Sequence, residues 1–446
     1  MPAGPTESFS LPRPSGLVLS PFRALRFDPV LAGELSTLTS PPYDVIDADG
    51  VAALERASEH NIVRLILPRQ DVEAGEDRYA RAAATLLAWR EAGVLRPDGE
   101  PALYVYEQAG PTVDGQPGHV QRGLLGALSL SPADDGVVLP HENTMAGPVS
   151  DRLALYTAVD ADLEPIFLVY NGGGAASQAV ASVGATTPDA PTLLVDALLA
   201  DGLRHRLWAL RDPDVLAAVA ADLLPRKALI ADGHHRYATY LQRQANRHAA
   251  GDGGGPWDAG LCLLVDATAF GPEVHPIHRY LPGLTPDVLA RQAAAGMAVR
   301  RLDGDLDHAL AELAAAGQAG PAFLLASGDA SELILLSEPD PAQLAAAIPP
   351  GRSAAWAALD VSVLHAFVVG ALWQLPDDVE QVAYEHDVPA ALASAARTGG
   401  TAVLLNPTPV SDVAAIAGGG ERMPRKSTLF TPKPSTGLVI RDHRDA

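Results

Sequence analysis

The run Lys227-Ala-Leu-Ile-Ala-Asp-Gly-His-His-Arg-Tyr-Ala-Thr-Tyr-Leu241 constrains the fold more than any other stretch. Ala228 to Ala231 is apolar and long enough for a buried strand. Asp232-Gly233 is a turn dipeptide. From His234 or His235 onward, Tyr237, Tyr240 and Leu241 recur at helical spacing. The chain therefore runs strand, tight turn, helix, with Asp232, His234, His235 and Arg236 gathered at the turn. The first turn of a helix exposes unpaired amides and the positive end of its dipole. Gly233 lets a ligand approach the backbone. Arg236 can grip a phosphate through two parallel bonds, and an imidazole adds a donor. This predicts an anion site, with Gly233, His235 and Arg236 as a phosphate cradle. The plainer alternative is Asp232 as an ordinary cap beside two exposed histidines.

Three further nodes carry polar chemistry. In Pro41-Pro-Tyr-Asp-Val-Ile46 the prolines enforce extended backbone and present Tyr43 and Asp44 at a turn. A rigid loop ahead of a helix over about 47–60 is the alternative. In Val138-Leu-Pro-His-Glu-Asn-Thr144, His141 and Glu142 precede Asp151-Arg152 at the next helix start. That density of charge between Pro and Gly is the composition of an active-site loop. Glu142 and Asp151 could hold Mg²⁺, which prefers oxygen ligands and bridges to phosphates. The third node is Met423-Pro-Arg-Lys-Ser-Thr428 with Lys433. Only three lysines occur, Lys227, Lys426 and Lys433, while arginine is plentiful. Two survivors so close together argue that arginine would not serve there. Lys426, Ser427, Thr428 and Lys433 are read as a second anion-binding loop, and His278-Arg279 as another anion contact.

These motifs, Asp232-Gly-His-His-Arg-Tyr, Pro41 to Ile46, His141-Glu142 and Met423 to Thr428, resemble the uncharacterised bacterial family called "domain of unknown function 1015". The match covers nearly the whole chain. The strand–turn–helix box also resembles the nucleotide-phosphate box of the ParB/sulfiredoxin-like superfamily, which includes free-serine kinases. That resemblance implies a ParB/sulfiredoxin-like nucleotide-binding core with additional α/β lobes, and a nucleotide-phosphate contact from Gly233 to Arg236. Sulfiredoxins carry a cysteine where His234 stands, so sulfinic-acid repair is not the expected chemistry.

Patterning elsewhere gives a mixed α/β fold class. Strands are expected over 61–67, 102–108, 122–130, 164–170, 260–267, 322–326, 333–336 and 401–408, and a helix over 74–92. Residues 1–14 read as a disordered lead-in, 15–283 as an α/β region holding the box, and 284–446 as a second α/β region whose 401–440 segment returns to the site. No apolar run reaches the roughly 18 residues of a membrane span. The net charge of −22 opposes broad nucleic-acid binding, though not a small anionic ligand. The lone cysteine, Cys262, lies in an apolar run and reads as core. Cytoplasmic residence follows from these signals.

Cations and carboxylates in this combination suit phosphoryl transfer. The expected function is a phosphotransferase that moves phosphate from ATP or another nucleotide to a small hydroxyl-bearing metabolite; the kinase resemblance suggests an amino acid such as serine. Asp232 or His234 is the expected base, with Glu142 also catalytic. His141, Arg152, His278 and Arg279 are expected at the anionic substrate. A phosphatase of a small phosphorylated metabolite and a non-catalytic, ParB-like nucleotide switch are the alternatives.

Overall fold

The computed structural model describes residues 13–70, 77–113, 116–184, 191–376 and 380–445. Most of the 1–14 lead-in and the start of the helix expected from residue 74 lie outside them. The chain forms two compact units. The first comprises 1–140, 144–272 and 432–446, and the second 141–143 and 273–431. Against the expected division at 283/284, the break in packing lies at 272/273.

The first unit is built on a nine-stranded mixed sheet. Its strands are β1 (Leu19–Ser20), β2 (Leu103–Ala109), β3 (Val120–Ser129), β4 (Val138–Leu139), β5 (Ile166–Tyr170), β6 (Thr192–Leu198), β7 (Arg204–Leu210), β8 (Ala228–Asp232) and β9 (Ala259–Asp266). Their order is β4-β8-β5-β9-β3-β2-β7-β6, with β1 against β3. Pairs β4–β8 and β5–β9 are parallel. Strands β5 and β9 are buried almost throughout, which their unbroken apolar runs require. Cys262 is buried within β9, where burial raises its thiol well above the usual range.

Five helices matter here: α1 (Ala48–Ala57), α2 (Val63–Ile66), α3 (Arg78–Glu91), α4 (Ala146–Val159) and α5 (His234–Ala249). Asp47 caps α1 by accepting from the Gly50 amide. The strand expected over 61–67 is instead the single turn α2. Buried Asn61 explains the difference. Its Oδ1 accepts the Val63 amide at 2.9 Å, and its Nδ2 donates to the Thr37 and Thr39 carbonyls. These bonds lock the segment into a turn despite its β-branched residues.

Residues 432–446 complete the first unit. Gln121 and Gln108, both buried, donate to the carbonyls of Pro432 and Lys433, each at 2.9 Å. Thr436 and Ser40 exchange backbone bonds. Arg441 and Arg243 converge on buried Asp162 at 2.9 and 2.6 Å. Burial opposes that carboxylate's charge, but the surrounding cations dominate and hold its pKa far below the usual range.

The second unit carries a six-stranded, fully antiparallel sheet. Its strands are β10 (His278–Leu281), β11 (Ala298–Arg301), β12 (Phe323–Ser327), β13 (Leu333–Ser337), β14 (Ala383–Glu385) and β15 (Thr401–Leu405). A core of Leu and Ala side chains, including Leu313, Leu324, Leu335 and Leu404, packs against it. No helix among the described residues is long and apolar enough to cross a membrane.

Candidate functional site

The strand–turn–helix run folds as its sequence dictates. Strand β8 ends at Asp232, Gly233 takes a left-handed conformation (φ 93°), and α5 begins at His234. An L side chain at Gly233 would be strained. One extra residue, Ala231, bulges between Ile230 and Asp232 where β8 pairs with β5. Such bulges re-aim the side chains that follow them.

Asp232 is the hub. Its Oδ2 accepts from Arg236 one helical turn later, and its Oδ1 pairs with Lys433 Nζ at 2.7 Å. Lys433 also lies 3.8 Å from Asp44 Oδ2. Burial alone would lower the Lys433 pKa; Asp232 and Asp44 outweigh it and hold the ammonium above its usual range. Asp44 is the open member of the group, its side chain 38 % exposed against 12 % for Asp232.

Arg236 departs from the expected phosphate ligand. Only 2 % exposed, it donates through Nη1 to the Pro165 carbonyl at 2.6 Å and through Nη2 to Asp232. A guanidinium committed to those partners fixes the turn from inside. Asp232 departs from the expected base for the matching reason: both its oxygens already face cations. His234 is buried at the first helical position. The half-buried His235 accepts the Met145 amide on Nε2 at 3.0 Å, which places the neutral ring's proton on Nδ1. That bond ties the start of α4 to the start of α5.

Sequence reasoning missed Glu164. It is fully buried, and its Oε1 accepts the Tyr43 amide at 3.0 Å. Burial raises its pKa even though Arg236 and Arg152 pull the other way. Glu164 thus fixes the Pro41–Ile46 loop from beneath, while Arg152 stacks on the Tyr43 ring 4.3 Å from its centroid. Burial pushes the Tyr43 phenol up to about 12. The one available signal was an acid followed by Pro165 ahead of a wholly apolar strand.

Asp151 is a poor metal ligand. Its Oδ1 accepts from Arg78 and Tyr79 at 2.5 and 2.8 Å, and its Oδ2 from Arg152 at 2.6 and 2.9 Å. Burial opposes ionisation, but the arginines win and its carboxyl stays below the usual range. Arg152 also donates to the Ile66 carbonyl at 2.6 Å, so it acts as a brace for α2 and Tyr43. Among the described residues, no group of three or more His, Cys, Asp or Glu side chains could hold a metal ion.

The remaining candidates belong to the second unit. There the 141–142 and 423–428 motifs meet: His141 Nε2 lies 3.0 Å from Thr428 Oγ1, and the His141 carbonyl accepts the Met423 amide at 2.9 Å. Glu142 is half-buried beside them. Ser427 turns inward and donates to the Pro424 carbonyl at 2.5 Å. Lys426 is exposed with a left-handed backbone (φ 54°). Arg279 departs from the expected anion contact. It is buried, stacks on Tyr384, and donates to the Lys426 carbonyl at 3.0 Å, so it holds that loop's backbone. His278 departs too. Burial, then the Arg279 charge, drops it to about 4, so it is neutral and accepts the Leu405 amide.

In the first unit Lys433 also borders a cleft of about 600 Å³. Pro41, Pro42, Val45, Leu54 and Leu203 give it apolar walls, and Asp47 and Asp201 add carboxylates. The lysine thus joins a ligand-sized cavity to the Asp44–Asp232 pair.

Fold and site define a mixed α/β protein whose polar centre is assembled where a strand turns into a long helix. The chain belongs to the family described as protein of unknown function DUF1015, whose model matches residues 19–362. No curated protein matches it in sequence. Among solved structures it is similar to a free serine kinase in complex with ADP, at TM-score 0.36 and 12 % identity over 75 % of this chain and 94 % of that one. It is also similar to a free serine kinase in complex with AMP, at 0.35 and 13 % over 72 % and 91 %. A third is SbnI with a C-terminal truncation from Staphylococcus aureus, at 0.34 and 11 % over 71 % and 87 %. These likenesses are distant.

Proposed function

We propose that the first unit is a nucleotide-dependent phosphotransferase acting on a small hydroxyl-bearing metabolite of the hydroxy-amino-acid class. One observation carries the reading: Lys433 lies between Asp44 and Asp232 where a sixteen-residue helix begins behind a left-handed glycine. Phosphoryl transfer asks little covalent chemistry of a protein and much positioning of charge. The first-turn amides of α5 and the Lys433 ammonium take the phosphate oxygens of the donor. Arg236 holds Asp232, and Asp232 holds Lys433, so the cation is aimed before the ligand arrives. Asp44, the exposed carboxylate, orients the acceptor hydroxyl and takes its proton. The acceptor oxygen then bonds to the terminal phosphorus as the bond to the nucleotide's bridging oxygen breaks. The cleft beside Lys433 gives donor and acceptor room.

Asp151 does not fit Mg²⁺, because arginines occupy both its oxygens. An ion that accompanies the nucleotide draws its oxygens from phosphate and water. We assign it no protein ligand.

The test is ADP formation from ATP in the presence of serine and related hydroxy acids. ADP should appear only with an acceptor. Asp44→Asn should stay folded and lose at least about a hundredfold in rate, as removal of a general base does. Acceptor-independent phosphate release from a monoester would instead support the phosphatase. Tight nucleotide binding without turnover would support the switch.

A further inference from the structure

A second cleft in the first unit, of about 440 Å³, has a different character. Among the described residues, three arginines line it, Arg69, Arg78 and Arg152, with Tyr79, Gln70 and the carboxylate of Asp151. In a chain of net charge −22, three guanidiniums lining one concavity stand out, with Glu55 and Glu164 beside Arg69 and Arg152. The cleft is also built. Arg152 is 2 % exposed, gripped by Asp151 and the Ile66 carbonyl, and cannot swing out to solvent. Arg78 and Arg69 are the more open members, their side chains 39 % and 51 % exposed. Arg78 donates through Nη2 alone among the described residues, to Asp151 and Tyr79. Arg69 meets Glu55 at 2.7 Å. A guanidinium has five donors, so both retain capacity for an arriving oxyanion.

We propose that this cleft is a second anion site, for a phosphate-class dianion, distinct from the Lys433 centre. Arg69 and Arg78 close on the ligand as paired donors, and Tyr79 adds its hydroxyl. Asp151 acts as a resident carboxylate that keeps the arginines in place when the cleft is vacant. One of them, Arg152, has its other face on the Tyr43 ring, next to Asp44. A ligand that draws on Arg152 therefore bears on the loop that presents Asp44.

The experiment is calorimetric titration of inorganic phosphate into the full chain, alone and with a non-hydrolysable ATP analogue at saturation. Phosphate should still bind one site in the presence of the analogue. Arg69→Ala and Arg78→Gln should each weaken that binding about tenfold, with the melting temperature unchanged because both side chains are substantially exposed. Unaltered phosphate affinity in both variants, or no phosphate binding to the wild type, overturns the proposal. The outcome does not depend on whether the Lys433 centre binds nucleotide, because the phosphate titration is also run alone.

Discussion

Lys433→Met removes the cation between Asp44 and Asp232 while keeping the length of the stem. At 2.7 Å and an effective dielectric near 20, the Lys433–Asp232 attraction is roughly 6 kcal/mol gross. The Lys433 side chain is about four-fifths buried, and desolvation cancels much of that attraction. Asp232 also keeps Arg236 as a partner. The net loss of stability should therefore be about 2 kcal/mol, read from urea denaturation. Binding should suffer in parallel. Two carboxylates stripped of their cation repel a nucleotide's phosphates, and about 2 kcal/mol corresponds to a roughly thirtyfold weaker Kd for an ATP analogue. Lys433→Arg should restore most of the stability but not the affinity, since a second planar fork beside Arg236 cannot occupy the same point. Sign matters for pH. The folded pKa of Lys433 is raised above 10.5, so its contribution is full below that pH and disappears as pH climbs through the folded value. A methionine variant that binds the analogue as tightly as wild type would refute the assignment of Lys433 to the phosphate site.

Two further outcomes are expected. Arg236→Ala should cost about 2–4 kcal/mol in denaturant unfolding, because it leaves Asp232 with Lys433 but without its buried guanidinium and leaves the Pro165 carbonyl without its donor; a variant as stable as wild type would show that the turn does not need it. His278 is held near 4 against an ordinary 6.5, so its contribution is complete above pH 6.5 and drains away as pH falls toward 4. Wild type should lose roughly 3 kcal/mol more than His278→Gln over that window, measured by denaturation at each pH.

The organisation of the site was legible where local chemistry decides it. Asp232-Gly233 fixes a turn, and the tyrosine spacing after it fixes a helix, so both are read correctly without tertiary information. The scarcity of lysine drew attention to Lys433, which does pair with Asp232. What sequence could not supply was the direction in which each guanidinium points. Arg236, Arg152 and Arg279 look like ligand-binding residues in one dimension. In three dimensions each faces inward, because the Pro165, Ile66 and Lys426 carbonyls sit where a donor is needed. Those carbonyls lie 71, 86 and 147 positions away along the chain. Glu164 was hidden for the same reason: its partner is the backbone amide of Tyr43, which no side-chain pattern reveals. The 61–67 segment reads as a strand because Ile, Val and Leu dominate it, and only the bonds of Asn61 to residues 37 and 39 turn it into a helix.

The first unit is interrupted between Pro272 and Pro432. During synthesis, most of its sheet leaves the ribosome while residues 273–431 are still to be made. Asp232 then waits with Arg236 but without Lys433, and the buried Gln108 amide has no Lys433 carbonyl to receive it. A nascent chain at that stage has a nearly finished scaffold and gains the ammonium between Asp44 and Asp232 only once the whole intervening unit has been translated.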